Sequence, residues 1–408
     1  MARVVQKYGG SSVATPDHIK RVAQRLQACR AAGDDVVAVV SAMGKRTDEL
    51  YELAAQITRT PEPREMDVLL STGEMVTTTL LSMALHELGV DAVSLTGAQA
   101  GIRTTAVFGR ARISGIDTER LERELGRGQL VIVAGFQGVS EDAEDVTTFG
   151  RGGSDTTAVA LAAALEADRC EIFTDVAGVY TADPRVCPQA RPLRDIGYEE
   201  MLELATTGAR VMHARAVEVG ELYGVTIRVA SSFDDEAPGT LIHGEMTMEQ
   251  GNKVRGIAHQ EHIAKVTVRG VPDRPGIAAH LFEPLAEAGV SVDTIVQNAS
   301  VEKLTDMTFT VAPHDLEGAL RVVDKVKDEL GATEVVSEPD LGTVSIVGTG
   351  MASAPGFAAR MFRTLYEQGV NIDMISTSDI RITCVVSSAQ VGDAVRSLHD
   401  AFELDRED

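Results

Sequence analysis

Through the first half of the chain, short apolar runs rich in β-branched residues alternate with stretches of helical period. Residues 4–6, 36–40, 90–95, 130–134, 171–174 and 225–230 read as strands, with amphipathic helices between them. Such alternation predicts a mainly parallel sheet covered by helices on both faces, because parallel neighbours need a crossover long enough to hold a helix. At residues 239–252 (GTLIHGEMTMEQGN) the pattern lapses into polar and flexible positions, and a domain boundary is placed there.

From about residue 263 the chain repeats itself. DRPGIAAHLFEPLAEAGVSVDTI aligns with SAPGFAARMFRTLYEQGVNIDMI at a constant offset of 80 residues, from Pro275 to Pro355, Gly289 to Gly369 and Asp293 to Asp373. Each copy reads as a strand (266–268; 344–347), a Pro-Gly turn, an amphipathic helix, a glycine cap, two strands and a second helix. The first copy continues into a fourth strand at 334–337, whereas the second ends at Phe402-Glu403-Leu404 and a charged tail. Residues 254–259 are expected to return as the edge strand that the second copy lacks, which would insert the first small domain within the second. The expected divisions are 1–245, a linker with the donated strand at 246–262, then 263–340 and 341–408.

Length and composition narrow the function. With 408 residues and 44% hydrophobic content, the chain can bury the cores of two or more domains. The net charge of -23 argues against nucleic acid or an anionic membrane as partner, so any nucleotide must be bound in a local pocket. The four cysteines are scattered without a C-x-x-C pair, which fits a reducing compartment better than a disulfide framework or a zinc site. Met1 leads through one arginine into Val4-Val5 without a signal-type apolar region, and no later run is expected to approach a membrane span. A cytoplasmic protein is the expectation.

Three clusters carry candidate chemistry. The first strand runs into Lys7-Tyr8-Gly9-Gly10-Ser11-Ser12, where glycines let backbone N–H groups approach an anion and the lysine supplies charge. It is not a Walker loop, since GxxxxGK[ST] is absent. Phe149-Gly150-Arg151-Gly152-Gly153-Ser154-Asp155 runs into a strong helix former at 158–165, with Ser154 or Asp155 expected to cap it. In the third, a strand ends in Thr174-Asp175 and spills into a loop carrying Tyr180, Asp183, Pro184 and Arg185, suited to a nucleobase and phosphates at the carboxyl end of a sheet. Glu74 is read as preceding a helix, where its acid is favoured by the dipole whatever its function, and Ser41 and Thr47 flank Met43-Gly44-Lys45 after a buried strand.

Taken in order, KYGGSS, SAMGKRTD, STGE, FGRGGSDTTA and FTDVAGVYTADPR followed by the tandem repeat resemble the aspartate kinases of the amino-acid-kinase family, across essentially the whole chain. The resemblance implies an amino-acid-kinase-like three-layer α/β sandwich and two ferredoxin-like βαββαβ ACT domains. It implies ATP-dependent phosphorylation of the L-aspartate side-chain carboxylate, the first step towards lysine, threonine and methionine, with Mg²⁺ on the nucleotide. ATP would be held by Lys7, Tyr8, Gly9, Gly10, Thr174, Asp175, Tyr180, Asp183, Pro184 and Arg185, with Arg210 nearby. Aspartate would lie against Ser41, Thr47, Glu74, Arg151, Gly152, Gly153, Ser154 and Asp155, with Lys7, Arg151 and Asp155 as the catalytic set.

The same resemblance implies an amino-acid effector on Asp273, Gly276, Ala278, Asp293 and Gln297 of the first copy, facing Asn371 and Ile372 of the second from another subunit. Ser378 and Asp379, with Phe357 and Ala358, would form a second pocket. In that copy Ser353 stands where the first has Asp273. Threonine is the favoured effector, with lysine acting jointly or not at all. A homo-oligomer through the ACT domains is expected. Met246 or Met248 could begin a separate regulatory subunit. Rival readings are a kinase of another small acid and a catalytically silent amino-acid sensor.

Overall fold

A computed structural model describes residues 2–209, 211–244, 254–298, 304–351 and 355–406. Arg210, Met246, Met248 and Ser353 lie outside the described residues. The chain divides into two compact units: one holds Met1–Tyr180, Pro192–Thr206 and Arg210–Glu249, the other Thr181–Arg191, Thr207–Ala209 and Gln250–Asp408. The division is therefore not a single cut in the linker, because two short segments of the first half fold with the second unit.

In the first unit the elements run β1 (Arg3–Tyr8), α1 (Pro16–Ala31), β2 (Asp35–Val40), α2 (Arg46–Ile57), α3 (Pro63–Glu87), β3 (Ala92–Leu95), β4 (Ile102–Thr104), β5 (Ile113–Ile116), α4 (Glu119–Gly126) and β6 (Leu130–Ala134). They continue with β7 (Gln137–Ser140), β8 (Val146–Thr148), α5 (Gly153–Ala164), β9 (Arg169–Thr174), β10 (Asp195–Gly197), α6 (Tyr198–Thr206), α7 (Ala214–Tyr223), β11 (Ile227–Ser231) and β12 (Thr240–His243). The main sheet has the order β10-β12-β11-β9-β1-β2-β6-β3 and is parallel except where β11 meets β12. Its central strands are almost wholly buried, as strands covered on both faces must be. A second sheet, β5-β4-β7-β8, was not legible beforehand because its strands are only three or four residues long.

Several sequence expectations shift for local reasons. The strand expected at 90–95 begins at Ala92, because Gly89 and Val90 donate back to His86 O and Leu85 O and finish α3. Val225 likewise donates to Gly220 O behind the left-handed Gly224, so β11 begins at Ile227. Glu74 does not precede a helix but lies in the middle of the 25-residue α3. Gly73 is tolerated inside that helix because a Cβ there would come 2.8 Å from the Cβ of Ala42, so the glycine marks a close approach and not a break. Contrary to expectation, α3 is also long and apolar enough to span a membrane by composition. Half of that stretch is buried in the unit, and its buried face carries Asp67 and Glu74, as suits a core helix.

The second unit is built on β13 (Gly256–Pro272), α8 (Ile277–Glu287), β14 (Val292–Gln297), β15 (Leu304–Val311), α9 (Leu316–Leu330), β16 (Glu334–Val347), α10 (Phe357–Glu367), β17 (Met374–Thr377), β18 (Arg381–Ser387) and α11 (Val391–Ala401). One six-stranded sheet, β14-β15-β13-β16-β18-β17, serves both repeats. Its two long antiparallel strands are shared: the later half of β13 pairs with the start of β16, while Gly256–Gln260 pair with Val347–Thr343. Each repeat thus has the βαββαβ strand order, and each closes its own core. One core lies around Val266, Leu281, Phe309 and Val323, the other around Ile257, Val344, Leu365 and Leu398. The expected separate strands at 254–259 and 266–268 are one strand, broken only by register shifts between Gln260 and Lys265.

Ile257 is 3% exposed in the second of these cores. Replacing it with alanine should cost about 2–4 kcal/mol. Hydrogen exchange should show lost protection in β18 and α11 with β14 and β15 unaffected; uniform loss across the unit would contradict independent cores.

Candidate active site

The carboxyl ends of β1 and β2 lie side by side, and β1 borders β9, where the strand order reverses and open α/β sheets leave a crevice. The chain leaves β1 through Gly9 and Gly10, whose backbone is pinned on both sides: Gly9 N–H donates to Phe173 O at 3.3 Å and Gly44 N–H to Gly10 O at 3.0 Å. A Cβ on Gly10 would stand 3.0 Å from the carbonyl oxygens of Ala42 and Gly44, so any side chain there would press on the backbone of the neighbouring loop. Strand alternation sends Lys7 to the face covered by α5, where its Nζ lies 2.5 Å from Asp155 Oδ1. Both side chains are about 11% exposed, so each charge depends on the other. Tyr8 points to the opposite face, fully buried and stacked on Phe173, which removes its ring from this crevice.

The second glycine loop enters α5 differently from expectation. Neither Ser154 nor Asp155 caps the helix; the N-cap is Gly152, with φ 69° and no side-chain cap bond, and α5 begins at Gly153. A Cβ on Gly152 would fall 2.2 Å from Cγ of His213, so a conventional capping residue has no space there. Ser154 and Asp155 occupy the first turn, 7% and 8% exposed. From the start of α7, Arg215 donates to Phe149 O and Ala111 O at 3.3 and 2.7 Å, fixing the base of the loop. Arg151 is exposed and has no ion-pair or hydrogen-bond partner among the described residues.

Glu74 reaches the crevice from α3. Ala42 N–H donates to its Oε1 at 3.1 Å, while its buried Oε2 has no partner among the described residues. Burial pushes the carboxyl up to about 7, only partly offset by backbone donors. Two helical turns earlier, Asp67 accepts from Gly109 N–H, Thr148 N–H and Thr148 Oγ1, tying α3 to β8. Sequence reading missed Asp67, although its seven-residue spacing from Glu74 places both acids on one face of the helix.

Lys7, Gly9, Gly10, Ser41, Thr47, Glu74 and residues 151–155 all line one cavity of about 500 Å³. Asp48, Tyr51 and Phe136 line it as well and had not been singled out. Phe136 holds φ 69°, a costly conformation for a bulky side chain, directly before β7. Thr174, Asp175 and Tyr180 do not line this cavity; they lie at and beyond the end of β9, in a loop anchored by Thr240 Oγ1, which accepts from Val179 N–H and donates to Leu193 O. Asp183, Pro184 and Arg185 belong to the second unit, where Arg185 forks onto the Asp183 carboxylate at 2.6 and 3.0 Å and holds its pKa below the usual range.

Within the second unit, Gly276 and Gly356 are the left-handed N-caps of α8 and α10, and Ala278, Phe357 and Ala358 sit in the first turns. Asp273 immediately follows β13, and Asp293 and Gln297 are exposed on β14. Asn371 and Ile372 precede β17, with Ser378 and Asp379 in the turn after it. Strands β14 and β17 are opposite edges of the sheet, so one chain does not bring the two sets face to face.

Residues 2–231 match the model of the amino acid kinase family, and residues 266–328 and 344–402 each match an ACT domain. The chain is 52% identical to aspartokinase 2 of Bacillus subtilis over 406 residues, covering 100% of this chain and 99% of that protein. Among solved structures it resembles E. coli aspartokinase III in complex with aspartate and ADP (R-state), with TM-score 0.81 and 28% identity over 98% of this chain and 99% of that one. The same enzyme in complex with lysine and aspartate (T-state) matches with TM-score 0.74 and 28% identity over 98% and 99% of the two chains.

A carboxyl raised from 4.5 to about 7 in the folded state binds its proton more tightly there than in the unfolded chain. Stability is therefore present below the unfolded pKa and declines as pH rises through about 7, by about 3 kcal/mol in all. Glu74→Gln should gain on the natural protein at pH about 8 and match it near pH 4, read by urea denaturation; a pH-independent difference would contradict the burial of an uncompensated carboxylate.

Proposed function

The chain belongs to the amino acid kinase family, in the aspartokinase group that carries two ACT domains, and we propose that it transfers the γ-phosphoryl group of ATP to the side-chain carboxylate of L-aspartate. The observation that carries this reading is the single cavity in which Lys7 and Asp155 form an ion pair while Glu74 offers an unpartnered buried oxygen and Arg151 an uncommitted guanidinium. Those two groups suit the ammonium and carboxylate of an amino acid. Ser41 and Thr47 add short hydroxyl donors beside them.

The acceptor carboxylate is ionised at neutral pH and attacks without a general base; its oxygen bonds to the γ-phosphorus, the bridging bond to ADP breaks, and an acyl phosphate results. Catalysis then rests on position and charge. Lys7 faces the negative charge on the transferring group, with the Gly9 and Gly10 turn approaching the phosphates closely, and Asp155 holds the lysine in place until they arrive. The base and the remaining phosphates are assigned to Thr174, Asp175, Tyr180, Asp183, Pro184 and Arg185. Among the described residues no cluster of three His, Cys, Asp or Glu side chains is placed to hold a metal. Mg²⁺ accompanying the nucleotide would find hard oxygen donors in the cavity in Asp155, Asp48 and Glu74, and when bound it would neutralise phosphate charge.

The ACT unit supplies feedback, with threonine as effector and lysine acting jointly or not at all. The exposed edges β14 and β17, bearing Ile295 and Ile375 at matching positions of the repeat, favour pairing with a second copy, which would bring Asp293 and Gln297 opposite Asn371 and Ile372. The product is the first intermediate towards lysine, threonine and methionine, in the cytoplasm.

The decisive experiment is hydroxylamine trapping of acyl phosphate with ATP, Mg²⁺ and L-aspartate, L-glutamate or N-acetylglutamate, each with and without threonine and lysine. Product from aspartate alone, suppressed by threonine or by the pair, is expected; product only from another acid would overturn the assignment. Lys7→Ala should lower kcat by about 10² to 10³ with little change in the KM for aspartate. Arg151→Ala should raise the KM for aspartate well above that for ATP, and equal rises in both would remove its assigned role.

A further inference from the structure

The segment Thr181–Arg191 follows directly on Tyr180, yet it is part of the core of the second ACT repeat. Ala182 and Cys187 are 3% and 0% exposed in that core, alongside Val395 and Leu398 of α11. Its backbone is tied down as well: Arg396 donates to Val186 O at 3.0 Å, and Arg191 Nε donates to Leu404 O at 3.2 Å.

Thr181 is the point where these ties converge. Its carbonyl accepts from Ile257 N–H at 2.7 Å, its N–H donates to Arg191 O at 2.9 Å, and its Oγ1 accepts from Arg191 N–H at 3.1 Å. The same hydroxyl lies 2.9 Å from Nε2 of His399 on α11. His399 is fully buried, and the rest of the buried face of α11 is Val391, Ala394, Val395 and Leu398. Its Nδ1 has no partner among the described residues. An imidazole with one polar atom unsatisfied costs stability where an aliphatic side chain would not. Burial also lowers its pKa, which keeps it neutral in this core. The side chain thus gives up stability for one directional contact, on the residue that follows Tyr180.

We propose that His399 is a positioning residue for the nucleotide: through Thr181 it fixes the path of the segment that carries Asp183 and Arg185. The proposal rests on the assignment of those two residues to ATP. It places a determinant of nucleotide affinity on the last helix of the ACT unit, more than two hundred residues away in sequence.

The test uses the full chain with Thr181→Val, Thr181→Ser, His399→Leu and the double variant Thr181→Val/His399→Leu. Thr181→Val and His399→Leu should each raise the KM for ATP about fivefold to tenfold, the worth of one buried hydrogen bond, with the KM for aspartate moving less than about twofold. Thr181→Ser keeps the hydroxyl and should stay near the natural protein. In the double variant neither end of the Thr181–His399 contact is left unpaired, so thermal stability should recover in part, short of the Arg191 N–H bond to Thr181 Oγ1, while the KM for ATP stays as high as in either single variant. An unchanged KM for ATP in Thr181→Val, or a double variant whose ATP affinity recovers with its stability, overturns the proposal. ADP affinity by calorimetry, without an acceptor, reads the same link: if no acyl phosphate forms from aspartate but ADP binding still depends on His399, the acceptor assignment falls and the positioning role stands.

Discussion

Lys7 and Asp155 hold each other at 2.5 Å where water is largely excluded, and much of the catalytic unit can be understood from what that pairing requires. A lysine buried at the end of a strand is costly without an opposite charge beside it. The acid stands in the first turn of α5, so α5 must begin against the carboxyl end of β1, and Gly152 with Gly153 provides the turn that lets it do so. Tyr8, one residue on, is sent to the opposite face, where Phe173 and then the Arg25 guanidinium stack over it in sequence. One strand residue thus serves the cavity and its neighbour serves the core, as the two-residue period of a strand dictates.

The cavity's charges are unevenly committed. Lys7 and Asp155 are paired, but Glu74 is held by backbone donors alone and Arg151 by nothing among the described residues. A site preorganised for a zwitterion would leave those two groups open, since solvent or protein partners there would have to be displaced on binding. The helix that carries Glu74 is tied down two turns away, where Asp67 accepts from two separate segments.

What could be read from the residues beforehand was whatever is local and strongly periodic. The strand at 130–134 coincides with β6 because all five residues are buried, and the 80-residue repeat exposed both small domains. Glu74 was misplaced because Gly73 looks like a break, and only the nearness of Ala42 explains a glycine there. The cap of α5 was misjudged for a similar reason, since the obstacle is His213, some sixty residues on. Asp183 and Arg185 read as continuous with Thr174 and Tyr180, yet they fold with another unit, because Ala182 and Cys187 find their apolar partners on a helix near the far end of the chain. Local pattern has no access to such partners.

The sharing of β13 and β16 between the two repeats also bears on how the chain is made. The edge strand Gly256–Gln260 leaves the ribosome early, but its partner Thr343–Val347 follows only after the entire first repeat has been synthesised, and α11 later still. The first repeat can close its own core during translation, whereas the second must wait for β18 and α11 while Gly256–Gln260 stays unpaired. A ribosome stalled or a message truncated before α11 would release a chain with that strand and β16 open to other chains. Completion of the second core therefore hinges on β18 and α11, even though the cavity proposed for catalysis is lined entirely by the first half of the chain.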